Sequence, residues 1–231
     1  MNIQRSRWRT AQLGLVVALL LIVASGLSYP GGYSFTHNFL SDLGATVAFN
    51  YQRNVAGVVL FGVSVLLGVL VLASTIIGTL RLLSATPPSR SFARFAAIAG
   101  ALACVGFLGA AIAPVDRAWR VHTLSGMVAF RSFAVLAALL AFATWRDARF
   151  RTRATVGWAA LAIIVIGLIV ASRLGPSIDT EHGLVTQVIM QKIMVASIVV
   201  VLWFEIREAE VVSGSGVAAR ITTVRANHGL T

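Results

Sequence analysis

Residues 56–80 read AGVVLFGVSVLLGVLVLASTIIGTL, a run of 25 residues without one charge. The hydrocarbon core of a bilayer is about 30 Å thick, and a helix needs about 20 mostly apolar residues to cross it. This run is long enough to span. Ala11–Ser28, Phe95–Pro114, Leu124–Trp145, Val156–Ser172 and Gly183–Phe204 are of the same kind. None alternates polar with apolar residues, as the strands of a membrane barrel do. The pattern predicts an all-α fold, a polytopic membrane bundle of six transmembrane helices. Composition agrees, with 58% hydrophobic and only 12% charged residues against about 25% charged in soluble domains. Short connections leave no room for a second folded domain, so residues 1–208 are expected to form one unit. Residues 209–231, which contain VSGSGVAAR, are expected to form a flexible cytoplasmic tail.

The net charge of +11 would suggest nucleic acid in a soluble chain, but here its distribution carries the information. Arginines 5, 7, 9, 81, 90, 94, 146, 149, 151, 153, 207, 220 and 225 fall on one side of the six spans. Arginines 53, 117, 120 and 173 fall on the other. The positive-inside rule then predicts a multi-pass protein of a bacterial plasma (inner) membrane with both termini cytoplasmic. Segments 29–55, 115–123 and 173–182 would face outward, and no nucleic-acid partner is expected. The basic start of the first span, its apolar middle and Ala24-Ser25-Gly26 also fit a secretory signal peptide. Cys104, the single cysteine, excludes an internal disulfide and reads as a small apolar filler.

Between the first two runs lies YSFTHNFLSDLGATVAFN, residues 33–50. Pro30-Gly31-Gly32 ends the first span, since proline and paired glycines favour a turn. A short amphipathic helix is expected next, capped by Thr36 and closed by Gly44. At about 100° per residue, His37, Asn38, Ser41 and Asp42 share one face of it, while Phe39, Leu40, Leu43 and Val47 share the other. Such a helix lies in the outer interface or folds back over the bundle.

Histidines and acids gather at the outward side: His37 and Asp42, then Asp116 and His122, then Asp179, Glu181 and His182. Histidine and carboxylate are zinc ligands, so His37, Asp116, His122 and His182 form one metal reading. Ser41 as nucleophile, with a histidine base and an orienting aspartate, is a metal-free reading. Interfacial caps and hydrogen-bonding partners are the plain structural reading of the same residues. Arg131 and Lys192 fall inside spans, where charge is costly and marks a functional site by default. Asp42 or an anionic ligand is their expected partner. Gln187 and Gln191 add amide groups near Lys192. Arg131 lies about 180° from His122 at helical spacing, so one narrow cavity cannot take both.

SDLG at 41–44, APVD at 113–116 followed by His122, and a Gly-Leu start to the last span with Gln191-Lys192 inside it form a recurring pattern. It resembles the bacterial and archaeal membrane family catalogued as domain of unknown function nine-nine-eight. Members of that family more often carry Ser-Glu-Leu and Gln-Arg at the corresponding places. The resemblance covers most of residues 10–206 and implies a multi-helix membrane protein with a polar outer site, with no activity to carry over. A further likeness, to membrane hydrolases related to alkaline ceramidases, implies zinc held by three histidines. His182 stands alone where those enzymes have two histidines four apart, so that mechanism is not transferred.

The functional expectation is a site in the outer leaflet that binds or processes an anionic lipid or its headgroup. Arg131, Lys192, Gln187 and Gln191 would bind the ligand, with His37, Ser41, Asp42 and His122 as candidate acid, base or nucleophile. The alternative is a non-enzymatic small transporter or an accessory subunit with a protein partner. No residue pattern names a cofactor.

Overall fold

Unbroken apolar sequence forms helix in a bilayer because every backbone N–H and C=O must find a partner inside its own segment. The computed structural model describes residues 3–84, 87–150 and 152–227. It contains α1 (Ile3–Leu27), α2 (Val55–Leu83), α3 (Pro87–Ile112), α4 (Val115–Trp145), α5 (Thr152–Leu174) and α6 (Glu181–Asn227). Each of the six has a stretch long and apolar enough to cross a membrane. Consecutive helices pack side by side, α1 closes against α6, and α2 also touches α6. The chain is thus an all-α integral membrane bundle whose helices follow a closed ring in chain order.

Two boundaries differ from the expectation. The segment expected as an outward connection at 115–123 is helix, because nothing after Pro114 breaks it. Only Ala118, at φ −139° and ψ 47°, interrupts α4 near its start. At the other end, α6 runs past residue 208 to Asn227, with Ala209 and Val212 buried. The tail expected from 209 therefore begins as helix against the bundle, and its residues 228–231 lie outside the described residues. Part of the turn expected at Ala85–Ser89 lies outside them too.

Hydrocarbon-to-hydrocarbon transfer gives helices in lipid little reason to associate, so close packing has to supply it. Small residues do this between α3 and α4. A Cβ on Gly106 would come within 2.5 Å of the Ala129 backbone nitrogen, and one on Gly109 within 2.6 Å of Ser125 Oγ. The core beyond this contact is made of Phe133, Leu136 and Leu140 of α4 with Trp158, Leu161 and Val165 of α5, all essentially inaccessible. The α1–α2 pair is tied by hydroxyls: Ser64 donates to the Ala18 carbonyl at 2.8 Å and Ser25 to the Gly57 carbonyl at 3.0 Å.

The 28–54 segment is not the expected amphipathic α-helix. A turn at 35–37 is followed by a short 3-10 turn, Leu40–Gly44. The side chain of Asn38 accepts from the Ser34 N–H at 2.7 Å and stops the first turn. Asp42, rather than Thr36, caps the second, accepting from the Phe39 N–H at 2.7 Å. Thr36 is hydrogen-bonded to His37 Nδ1 instead, at 2.9 Å. His37, Asn38 and Asp42 lie on one side of this segment and Ser41 on the other, so the four do not share a face.

Candidate functional site

We call the end of the bundle that carries residues 28–54 the loop end. There the segment folds inward and is held by Asn54 at its own end and by two half-buried side chains of α6, Gln191 and Lys192. Asn54, 1% exposed, donates through Nδ2 to the carbonyls of Leu43 at 2.9 Å and Ala45 at 3.0 Å. Gln191 accepts from the Leu40 N–H at 2.7 Å. Lys192 donates to the Asn38 carbonyl at 2.5 Å. Tyr33 donates to the same carbonyl at 3.1 Å. The Lys192 ammonium lies 5.3 Å from the centre of the Tyr33 ring and 5.0 Å from that of Phe35. Aromatic faces attract a cation at that distance, so a charge inside a span is satisfied by the loop that covers it.

Underneath is a cavity of about 190 Å³ running between α1, α2, α3, α4 and α6. Its walls are hydrocarbon from Leu15 and Leu19 to Phe107, Phe130 and Ile198, and its deep end reaches Leu72 and Leu202. Ser41, His122 and Gln191 give it polar groups near the loop end, and the Ser64 hydroxyl on its wall is taken up by the Ala18 carbonyl. His122 Nδ1 lies 2.9 Å from the carbonyls of both Ala110 and Ala113. Carbonyls only accept, so Nδ1 carries a proton.

Asp42 lines a different space. With Tyr29, His37, Asn38, Phe39 and Leu184 it borders a second cavity of about 560 Å³ on the other side of the 3-10 turn. Ser41 and Asp42 are adjacent in sequence and face separate cavities. Asp42 is 5% exposed. Burial pushes its carboxyl up to about 6 from the ordinary 3.8, against the Phe39 N–H, the Asn38 side chain, Lys192 and His122, which pull it down. Burial, then the same carboxylate, raises Tyr33 as well.

Apart from His37, which borders this second cavity with Asp42, the remaining expected site residues are dispersed. His37 is exposed and 3.8 Å from Glu181. Asp116 accepts from the Thr46 N–H at 2.9 Å and from its hydroxyl at 2.5 Å. His182 and Asp179 are exposed. Gln187 donates to the Pro176 carbonyl at 3.4 Å, outside the cavity. Arg131 is exposed on the outer face of α4, so it does not join Lys192 in one anion site. The residues of the metal reading, His37, Asp116, His122 and His182, thus have separate surroundings. Among the described residues no three His, Cys, Asp or Glu side chains form a metal-holding group.

Several residues that matter here carried no motif. Asn54, Tyr33 and Phe35 look like ordinary loop residues, and only their contacts reveal them. Glu205 was placed just beyond the sixth span, yet it is 2% exposed and accepts from Thr79 Oγ1 and Trp158 Nε1, both at 2.9 Å. Its flanks, Trp203, Phe204 and Ile206, were the available signal that the helix continues as membrane helix.

Searches of curated proteins and of solved structures each returned no match. A family model, described as "Protein of unknown function (DUF998)", matches residues 12–207. That match covers all six helices in whole or in large part, along with the loop-end segment that closes the cavity. The chain belongs to the DUF998 family of proteins of unknown function.

Proposed function

We propose that the protein binds an anionic membrane lipid, placing one hydrocarbon chain in the cavity and the headgroup beside Ser41, His122 and Gln191. The observation that carries this reading is the shape of the cavity: a long apolar interior with its polar side chains gathered near one end. Moving a chain from bilayer to cavity exchanges hydrocarbon for hydrocarbon, so selectivity has to come from those polar groups. Lys192 follows Gln191 and is bound to the covering loop at the Asn38 carbonyl, and its positive charge behind that loop favours an anionic headgroup at this end. The Ser41 hydroxyl and the His122 imidazole are the groups available to act on a bound headgroup, with the neutral imidazole as base.

The arginine distribution supports a bacterial plasma membrane orientation with both termini cytoplasmic. The loop end then opens toward the outer leaflet, which would be the source of the lipid.

Two glycines on the cavity wall make the test clean. Gly68 and Gly126 line the cavity, and a Cβ added to either meets no atom within 4 Å. Gly68→Leu and Gly126→Leu should fill the space without disturbing helix contacts. Purified in mild detergent, wild type should retain stoichiometric phospholipid by quantitative mass spectrometry and both variants should lose it. Equal retention in folded variants would refute the proposal. In vesicle competition, Lys192→Met should abolish a preference for phosphatidylglycerol over phosphatidylcholine.

A further inference from the structure

Arg131 occupies an unusual place. It is exposed on α4, and among the described residues it makes no hydrogen bond or ion pair. Exposed Trp119 and Trp145 lie near the two ends of α4, where tryptophan sits at the membrane interfaces. At 1.5 Å per residue Arg131 is about 18 Å from the first and about 21 Å from the second. The guanidinium therefore starts close to the middle of the hydrocarbon. Charged residues at that depth normally face a bundle interior or a water-filled cavity and are paired.

The surface around Arg131 has a second property. Leu124, Arg131, Ala138 and Trp145 are exposed at seven-residue spacing, with Val135 and Phe142 beside them. A seven-residue stripe is the seam along which helices wind around one another, and small Ala138 permits close approach.

We infer that this stripe of α4 is the docking face for a membrane helix of another protein that carries an aspartate or glutamate near its middle. Charge complementarity selects that occupant. A second copy of this chain offers no carboxylate at the depth of Arg131, and a two-fold pair would set Arg131 against itself. The inference stands apart from the lipid proposal, because Arg131 and the cavity lie on opposite sides of α4.

The test uses the full chain in vesicles with a synthetic helix of about 20 residues, mainly leucine, long enough to span. The helix carries Glu, Gln or Leu at its centre, and association is read by energy transfer between labels. The Glu helix should bind about tenfold more tightly than the Leu helix, the range that polar contacts between membrane helices provide. Arg131→Leu should remove the difference, and Arg131→Glu paired with a Lys-bearing helix should restore it. The charge-swapped pair keeps the test decisive if Arg131→Leu misfolds. Equal binding of all helices to wild type, or a Glu preference that survives Arg131→Leu, overturns the inference. So does an Arg131→Leu variant whose only change is lost anionic lipid, since Arg131 would then be reaching a headgroup.

Discussion

Asp42 and Ser41 are neighbours in sequence, and the turn between them assigns them different work. Asp42 is buried and holds the turn through the Phe39 N–H, at the cost of desolvating a carboxylate. Its acidity is weakened to about 6 from 3.8, so between these values the folded state binds the proton more tightly than the unfolded chain. The stability linked to Asp42 is therefore fully present below about 4 and is lost as pH rises from there through about 6, by roughly 3 kcal/mol at most. Asp42→Asn keeps an acceptor for the Phe39 N–H and removes the charge. Its melting temperature should exceed that of wild type by a margin that grows from pH 4 to pH 7. A margin independent of pH would mean that Asp42 titrates normally. Ser41→Ala should leave the melting temperature nearly unchanged and weaken lipid retention up to about tenfold, the worth of a neutral hydrogen bond. At this scale the sequence offered candidate residues and little about their direction. The half-turn between His122 and Arg131 could be read from spacing. That Ser41 and Asp42 part company could not, because it depends on a 3-10 turn fixed by distant side chains.

The 28–54 segment is the element on which the site depends, and it is held by Asn54 at its own end and by two side chains of α6. Asn54, Gln191 and Lys192 bind its backbone at Leu43, Ala45, Leu40 and Asn38. Loss of Asn54 leaves two buried carbonyls without their donor, which costs about 1–3 kcal/mol. Asn54→Ala should accelerate amide hydrogen exchange across residues 40–45 while the amides of α4 and α5 keep their protection. Uniform acceleration through the bundle would show that the segment is part of the global fold rather than a cover. The six membrane helices were legible in the sequence because lipid tolerates no alternative for unbroken apolar runs. This segment was legible only as polar residues between turns. Its amphipathic pattern suited an α-helix, and the bonds from Asn54 and from α6 overrode it.

For the whole molecule, a closed ring of helices leaves an interior that side chains fill near the α4–α5 core and leave open between α1, α2 and α6. Close approach of α3 and α4 through Gly106 and Gly109 brings His122 to the wall of that opening. Gly106→Val would push a side chain into the Ala129 backbone and should cost about 1–3 kcal/mol, seen as a lower melting temperature with α-helical content intact. An unchanged melting temperature would mean the two helices are free to separate.

The central claim is that a lipid chain occupies this interior, and photo-crosslinking tests it most directly. A phosphatidylglycerol analogue with a diazirine midway along one acyl chain should label Phe130, Val195, Ile198 and Val199 on the cavity wall, with labelling lost in Gly126→Leu. Labelling confined to outward-facing residues such as Leu20, Val63 and Ile163, and unaffected by Gly126→Leu, would contradict the account.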